Sequence, residues 1–150
     1  MQFRTRLLSI IILLGIVLVS CQNKINGPNI SIKGAWSRPS PNAAQTGAIY
    51  LVIKNNGSDP DLLLKASSSA CSVIELHESY KTEEGIMGMR PVEGNLLEIL
   101  AGEEVELKIG GLHFMCIDKL INFDPGISLP LTLEFKNSGK IELEVEIKEP

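Results

Sequence analysis

The feature that most constrains this chain is an alternation of period two that recurs along it. In "IELEVEI", Ile141, Leu143, Val145 and Ile147 alternate with Glu142, Glu144 and Glu146. In "LPLTLEF", Leu129, Leu131, Leu133 and Phe135 recur at the same step. "EVELKI" sets Val105, Leu107 and Ile109 against Glu104, Glu106 and Lys108. Successive side chains of a strand point to opposite faces, so each segment puts one face in a core and one in water, as in an antiparallel sheet. "KNSGK", Lys136 to Lys140, joins the last two segments as a Gly-containing hairpin. Further strands are expected at Ile30–Ser37, Gly47–Lys54, Leu62–Ala66, Ser72–Tyr80 and Leu112–Ile117. "NNGSDPD", Asn55 to Asp61, and "DPG", Asp124 to Gly126, are turn chemistry. No stretch carries a convincing amphipathic helical period, and there is no internal repeat. Many short strands with frequent turns predict an all-β fold, a Greek-key β-sandwich or barrel.

The first twenty residues stand apart from this pattern. Arg4 and Arg6 precede an apolar run from Leu7 to Val19, broken by Ser9 and Gly15. The run is shorter than the ~20 residues that a bilayer-spanning helix requires. A basic start followed by a short apolar run describes a secretory signal over residues 1–20. It ends in "LVSC", Leu18 to Cys21, which resembles the bacterial lipoprotein signal, with Cys21 as the lipidated mature N-terminus. "QNKINGPN", Gln22 to Asn29, then reads as a polar tether, so that residues 21–29 lead into one domain over 30–150. Removing Arg4 and Arg6 from the 14 basic residues leaves 12 against 18 acidic ones. A mildly acidic exported domain gives no reason to expect a nucleic-acid partner.

Within that frame "GGLHFMC", Gly110 to Cys116, is unusual. The chain has two histidines and four methionines. Apart from Met1, all of these are His77, Met87, Met89, His113 and Met115. By parity Leu112, Phe114 and Cys116 share a core face, and His113 and Met115 project away from it. Ile74 and Leu76 take the core face of their strand, so His77 also projects away. Thioethers are soft donors suited to Cu(I), and imidazole serves copper in either oxidation state. Such a set is neutral, and only its histidines make metal binding pH-dependent. It lacks the oxygen ligands of calcium or magnesium and the thiolates usual in structural zinc. The plainer reading is that the methionines fill gaps in a core and the histidines lie at the surface.

"ELHESYKTEEGIMGMRPVEG", Glu75 to Gly94, followed by "AGEEVELKIGGLHFM", Ala101 to Met115, resembles the periplasmic copper chaperone family PCuAC. "AWSRPSPNAAQTGAIYLVIKNNG", Ala35 to Gly57, is similar to that family's first strands, and "LPLTLEF" to a late one. The resemblance spans about residues 30 to 147. It implies a cupredoxin-like sandwich that binds Cu(I) through His77, Met89, His113 and Met115. Met89 takes the family position because it directly precedes "RPVEG", with Met87 as a possible substitute. The resemblance further implies delivery of copper to a respiratory oxidase subunit or assembly factor, from a lipid anchor facing the periplasm or cell exterior. The chain departs from the family in a slightly longer span near "GNLLEIL", expected in a turn, and in Cys116 directly after Met115.

Cys71 and Cys116 remain once Cys21 is assigned to lipid. An oxidising compartment permits a disulfide, but the expectation is two buried thiols. Two other functions compete. A blue-copper electron carrier would use His2Cys with an axial Met, taking Cys116 as its thiolate. A metal-free surface lipoprotein would act through its sandwich alone. No nucleophile with a plausible base points to an enzyme, and Glu75 and Glu78 read as ordinary strand-surface acids.

Overall fold

The computed structural model describes residues 26–150. The expected signal peptide, Cys21 and residues 22–25 of the tether lie outside the described residues. Ten strands follow in order: β1 (Ile30–Ser37), β2 (Thr46–Asn55), β3 (Asp61–Ser67), β4 (Cys71–Lys81), β5 (Met87–Pro91), β6 (Leu97–Ile99), β7 (Glu104–Leu107), β8 (Leu112–Lys119), β9 (Ser128–Phe135) and β10 (Gly139–Ile147). A single 3-10 turn, Glu93–Asn95, is the only helical element among the described residues. This turn and β6 occupy the span expected to be a turn alone. β5 and β6 have no expected counterpart, since "MGMRP" and "LEI" are too short or too irregular to show a period.

The hydrogen-bonded path runs β5-β4-β8-β2-β1-β10-β9-β3-β6, with β7 also paired to β2. β1 is the junction: it runs antiparallel to β2 and parallel to β10. Its register shifts between Lys33 and Trp36, around Gly34 at φ 59. Glycine adopts that left-handed conformation at little steric cost, which permits the irregularity. The path folds over as a sandwich, and its two halves share one apolar cluster. Ile49, Leu51 and Ile53 of β2, Leu76 of β4 and Phe114 of β8 come from one half; Leu63 of β3, Leu129, Leu131, Leu133 and Phe135 of β9, and Val145 and Ile147 of β10 come from the other. All are at most 2% exposed. The alternation therefore sorts these strands as expected. Each such side chain contributes about 1.5–3 kcal/mol on burial.

Asp61, 2% exposed, pins the β9–β10 turn to β3. Its carboxylate accepts from the backbone N–H groups of Leu62 at 2.8 Å, Asn137 at 2.9 Å and Ser138 at 2.9 Å. Burial alone pushes this carboxyl's pKa up, but hydrogen bonds from Ser138, Asn137 and Leu62 outweigh it and hold the pKa below its ordinary value. A depressed folded pKa stabilises the fold above the unfolded carboxylate pKa of about 3.9, and that stability is lost as pH falls through the folded value. Asp61→Ala is expected to cost about 2–4 kcal/mol at neutral pH, because three part-buried N–H donors lose a charged acceptor. Urea unfolding at neutral and at acid pH checks both statements, the gap between variant and parent narrowing in acid.

Cys71 and Cys116 form a disulfide, with Cα atoms 5.5 Å apart. This corrects the expectation of two buried thiols. Regular alternation would put Cys71 on the face of Val73 and His77, away from Cys116. At the start of β4 the alternation fails: Cys71 is 5% exposed and Val73 49%. The turn before it, closed by Cys71 N–H to Ser68 O and Ala70 N–H to Ser68 Oγ, delivers Cys71 inward. Asp118, at φ 50, breaks the extended backbone of β8 nearby.

Candidate metal site

Strands β5, β4 and β8 lie side by side, and their register assembles the site. His77 pairs with His113 across β4 and β8, with ring centroids 6.0 Å apart. Two positions along β4 in one direction, Ser79 pairs with Met89 of β5. Two positions in the other direction, Glu75 pairs with Met115, which also pairs with Ala48 of β2. Steps of two keep these side chains on one face, opposite the face that carries Leu76 and Phe114 into the core. Met89, His113 and Met115, with Tyr50, Ser79 and Arg38, line a cleft of about 390 Å³. Met87 pairs with Lys81, two pairs farther from the histidines than Met89, and does not line that cleft. Met87 and Met89 are 59% and 58% exposed, so neither fills a gap in the core.

Gly88 explains the "MGM" run. A Cβ there would lie 2.6 Å from the Tyr80 ring. Glycine lets Tyr80 cross β5 on the reverse face, where Arg90 sits 5.3 Å from the ring centroid and donates to Glu78 at 2.7 Å. Glu78 is thus part of a surface ion pair, as expected of an ordinary strand-surface acid. The thioethers are left to the other face.

Hydrogen bonding fixes each imidazole. His77 Nε2 lies 2.9 Å from Glu75 Oε2. A carboxylate only accepts, so Nε2 carries the proton. Nδ1 of His77 is then a lone pair, and it is buried with no hydrogen-bond partner. His113 is held the other way round: Nδ1 donates to Gly111 O at 3.0 Å, which leaves Nε2 as the lone pair. A ring held at one nitrogen with the other free is the usual state of a metal-ligating histidine. A buried polar atom without a partner is unfavourable, and a bound cation would relieve it. The donors therefore fit a soft metal ion. Among the described residues, no group of three or more His, Cys, Asp or Glu is arranged to hold a metal, so an ion here needs the thioethers.

Two contributors escape the sequence reading. Glu75, read as an ordinary surface acid, holds the His77 ring; its signal is the E-x-H spacing, which puts both side chains on one strand face. Tyr50, 6% exposed, lies 6.2 Å from His113 between ring centroids and 4.8 Å from Trp36. Its signal is an aromatic at the outward position of "AIYLV". Tyr50 lies against His113, which projects from the core face as expected and yet is 3% exposed. Burial raises the Tyr50 phenol pKa, and the charge of Arg38 offsets only part of this. The phenol therefore stays neutral at physiological pH in the metal-free protein. Cys116, fully buried and bonded to Cys71, has no thiolate to offer, which removes the donor set of the blue-copper alternative.

Residues 30–147 match the model of the LpqE-like family, described as a lipoprotein. The chain belongs to the LpqE-like lipoprotein family. One relative is Lxx21020 of Leifsonia xyli subsp. xyli (strain CTCB07), whose name also carries the word lipoprotein. It is 29% identical over 122 residues, covering 80% of this chain and 70% of the relative. Among solved structures, the copper-bound PCuAC domain from PmoF2 superposes with a TM-score of 0.66 at 17% identity, covering 83% of this chain and 99% of that one. The apo PCuAC domain from PmoF1 gives 0.63 at 19% identity, with 83% and 100% covered. The CuI-DR1885 structure from Deinococcus radiodurans gives 0.60 at 20% identity, with 89% and 85% covered. This LpqE-like lipoprotein therefore has the fold of the PCuAC domains, the cupredoxin-like sandwich expected from its sequence.

Proposed function

We propose that this LpqE-like lipoprotein is an extracytoplasmic copper chaperone. It binds Cu(I) through His77, Met89, His113 and Met115, and passes it to the copper-centre assembly of a respiratory oxidase. The observation that carries the reading is the facing pair of imidazoles, each held at one nitrogen and open at the other, with a thioether strand position on either side. The names of two structural neighbours, copper-bound PmoF2 and CuI-DR1885, support copper as the cargo of this fold.

The task is transfer rather than catalysis. Buried His113 is the fixed side of the site, and Met89, 58% exposed, is the side that an acceptor can reach. An incoming donor displaces the Met89 sulfur first, so the ion never becomes free. The proposed lipid at Cys21 keeps the carrier at the membrane surface and raises its effective concentration near membrane-bound acceptors.

Titrating the protein with Cu(I) against a competing chelator tests this, with X-ray absorption counting sulfur and nitrogen neighbours. One ion with two of each is expected. Trp36, the single tryptophan, packs at a tilt against Tyr50 beside His113 and gives a local fluorescence readout. Met89→Ile is expected to weaken Cu(I) binding at least tenfold and Met87→Ile less than twofold; the reverse order would exchange their roles. Failure to retain Cu(I) against a moderate chelator would leave the metal-free lipoprotein reading.

A further inference from the structure

We infer that Glu75 is a positioning residue, which selects the nitrogen that His77 presents to the metal and supplies the counter-charge for a bound cation. The inference rests on the copper reading above and deepens it. Neutral imidazoles and thioethers leave the charge of Cu(I) uncompensated. The nitrogen side of the site is poorly hydrated: His113 is 3% exposed and the His77 side chain 14%. Arg38 lies on the cleft wall and adds positive charge. An unpaired buried charge is costly, and a carboxylate in contact with a ligand reduces that cost. Glu75 is so placed, bonded to His77 at 2.9 Å and opposite Met115 in the strand pairing. Its side chain is 33% exposed, so without copper it keeps contact with solvent.

The same bond sets the tautomer. A carboxylate accepts only, which forces the proton onto Nε2 and keeps Nδ1 open. The Gly111 carbonyl forces the opposite choice on His113. The site is therefore asymmetric: one imidazole binds through Nδ1 and its neighbour through Nε2. An amide in place of Glu75 has the same shape but can donate or accept, so it no longer dictates the tautomer.

Glu75→Gln in the full chain, held in detergent micelles, tests this. Nitrogen-15 NMR of the metal-free protein, recorded at about pH 8 where imidazoles are ordinarily neutral, should show His77 protonated at Nε2. The variant should show a mixture of tautomers at His77 and no change at His113. Its Cu(I) affinity should fall about tenfold or more, the usual effect of removing an outer partner of a ligating histidine. A parent His77 protonated at Nδ1, or a variant with parental tautomer and affinity, overturns the inference. A parent with the expected tautomers but no Cu(I) binding overturns it differently, by removing the copper reading while leaving the Glu75–His77 bond in place.

Discussion

His113→Ala is expected to abolish tight Cu(I) binding, lowering affinity by more than the 10- to 100-fold typical of an outer-shell change, while the domain stays folded. The substitution removes the better buried of two nitrogen donors and leaves His77 facing an empty place on β8. Tyr50 loses one ring neighbour and keeps Trp36, while the core of Ile49, Leu76 and Phe114 lies on the opposite face and is untouched. Circular dichroism and urea unfolding check the fold, and chelator competition checks the affinity. A variant that is folded and binds with parental affinity would refute the assignment of His113.

The second large effect concerns stability. Replacing Cys71 and Cys116 together by Ser is expected to cost about 4 kcal/mol, the chain-entropy estimate for a bridge between residues 45 apart. Two hydroxyls placed among apolar neighbours add to this. For a domain of this size, that corresponds to a Tm lower by about 10–20 °C. Thermal and urea unfolding measure it directly, and a loss below about 1 kcal/mol would mean that the bridge is incidental to the fold. The bridge joins β4 and β8, the strands that carry His77, His113 and Met115. The double variant therefore also reports how far site geometry depends on that tie.

Much of this architecture is legible in the sequence, and the exceptions have physical reasons. β9 and β10 are read directly because their inner residues face a core and their outer ones face water. β5 is not, because an edge strand of five residues with Gly88 and Pro91 has no buried face to impose a period; its pairing with β4 defines it. His77, His113 and Met115 share a face by parity alone, and both histidines project from the core side as predicted. The burial of His113 was hidden, since Tyr50 comes from another strand. The disulfide was hidden too, because parity fails at a strand's first residue. Glu75 illustrates a further limit. Composition cannot tell a surface acid from one hydrogen-bonded to a candidate ligand, and only the orientation of the ring decides.

For the proposed copper carrier, the place of β5 at the end of the hydrogen-bonded path has a consequence for release. Its neighbour on one side is β4, and on the other it has none along that path. β8, which carries His113 and Met115, lies between β4 and β2. Local stability in a folded protein is uneven, and segments with few buried apolar contacts open at a lower free energy than the core; no residue of β5 is buried. A fluctuation confined to Met87–Pro91 withdraws one sulfur and leaves three donors in register. The ion can thus be surrendered through the fraying of a margin, with no part of the apolar interior being exposed.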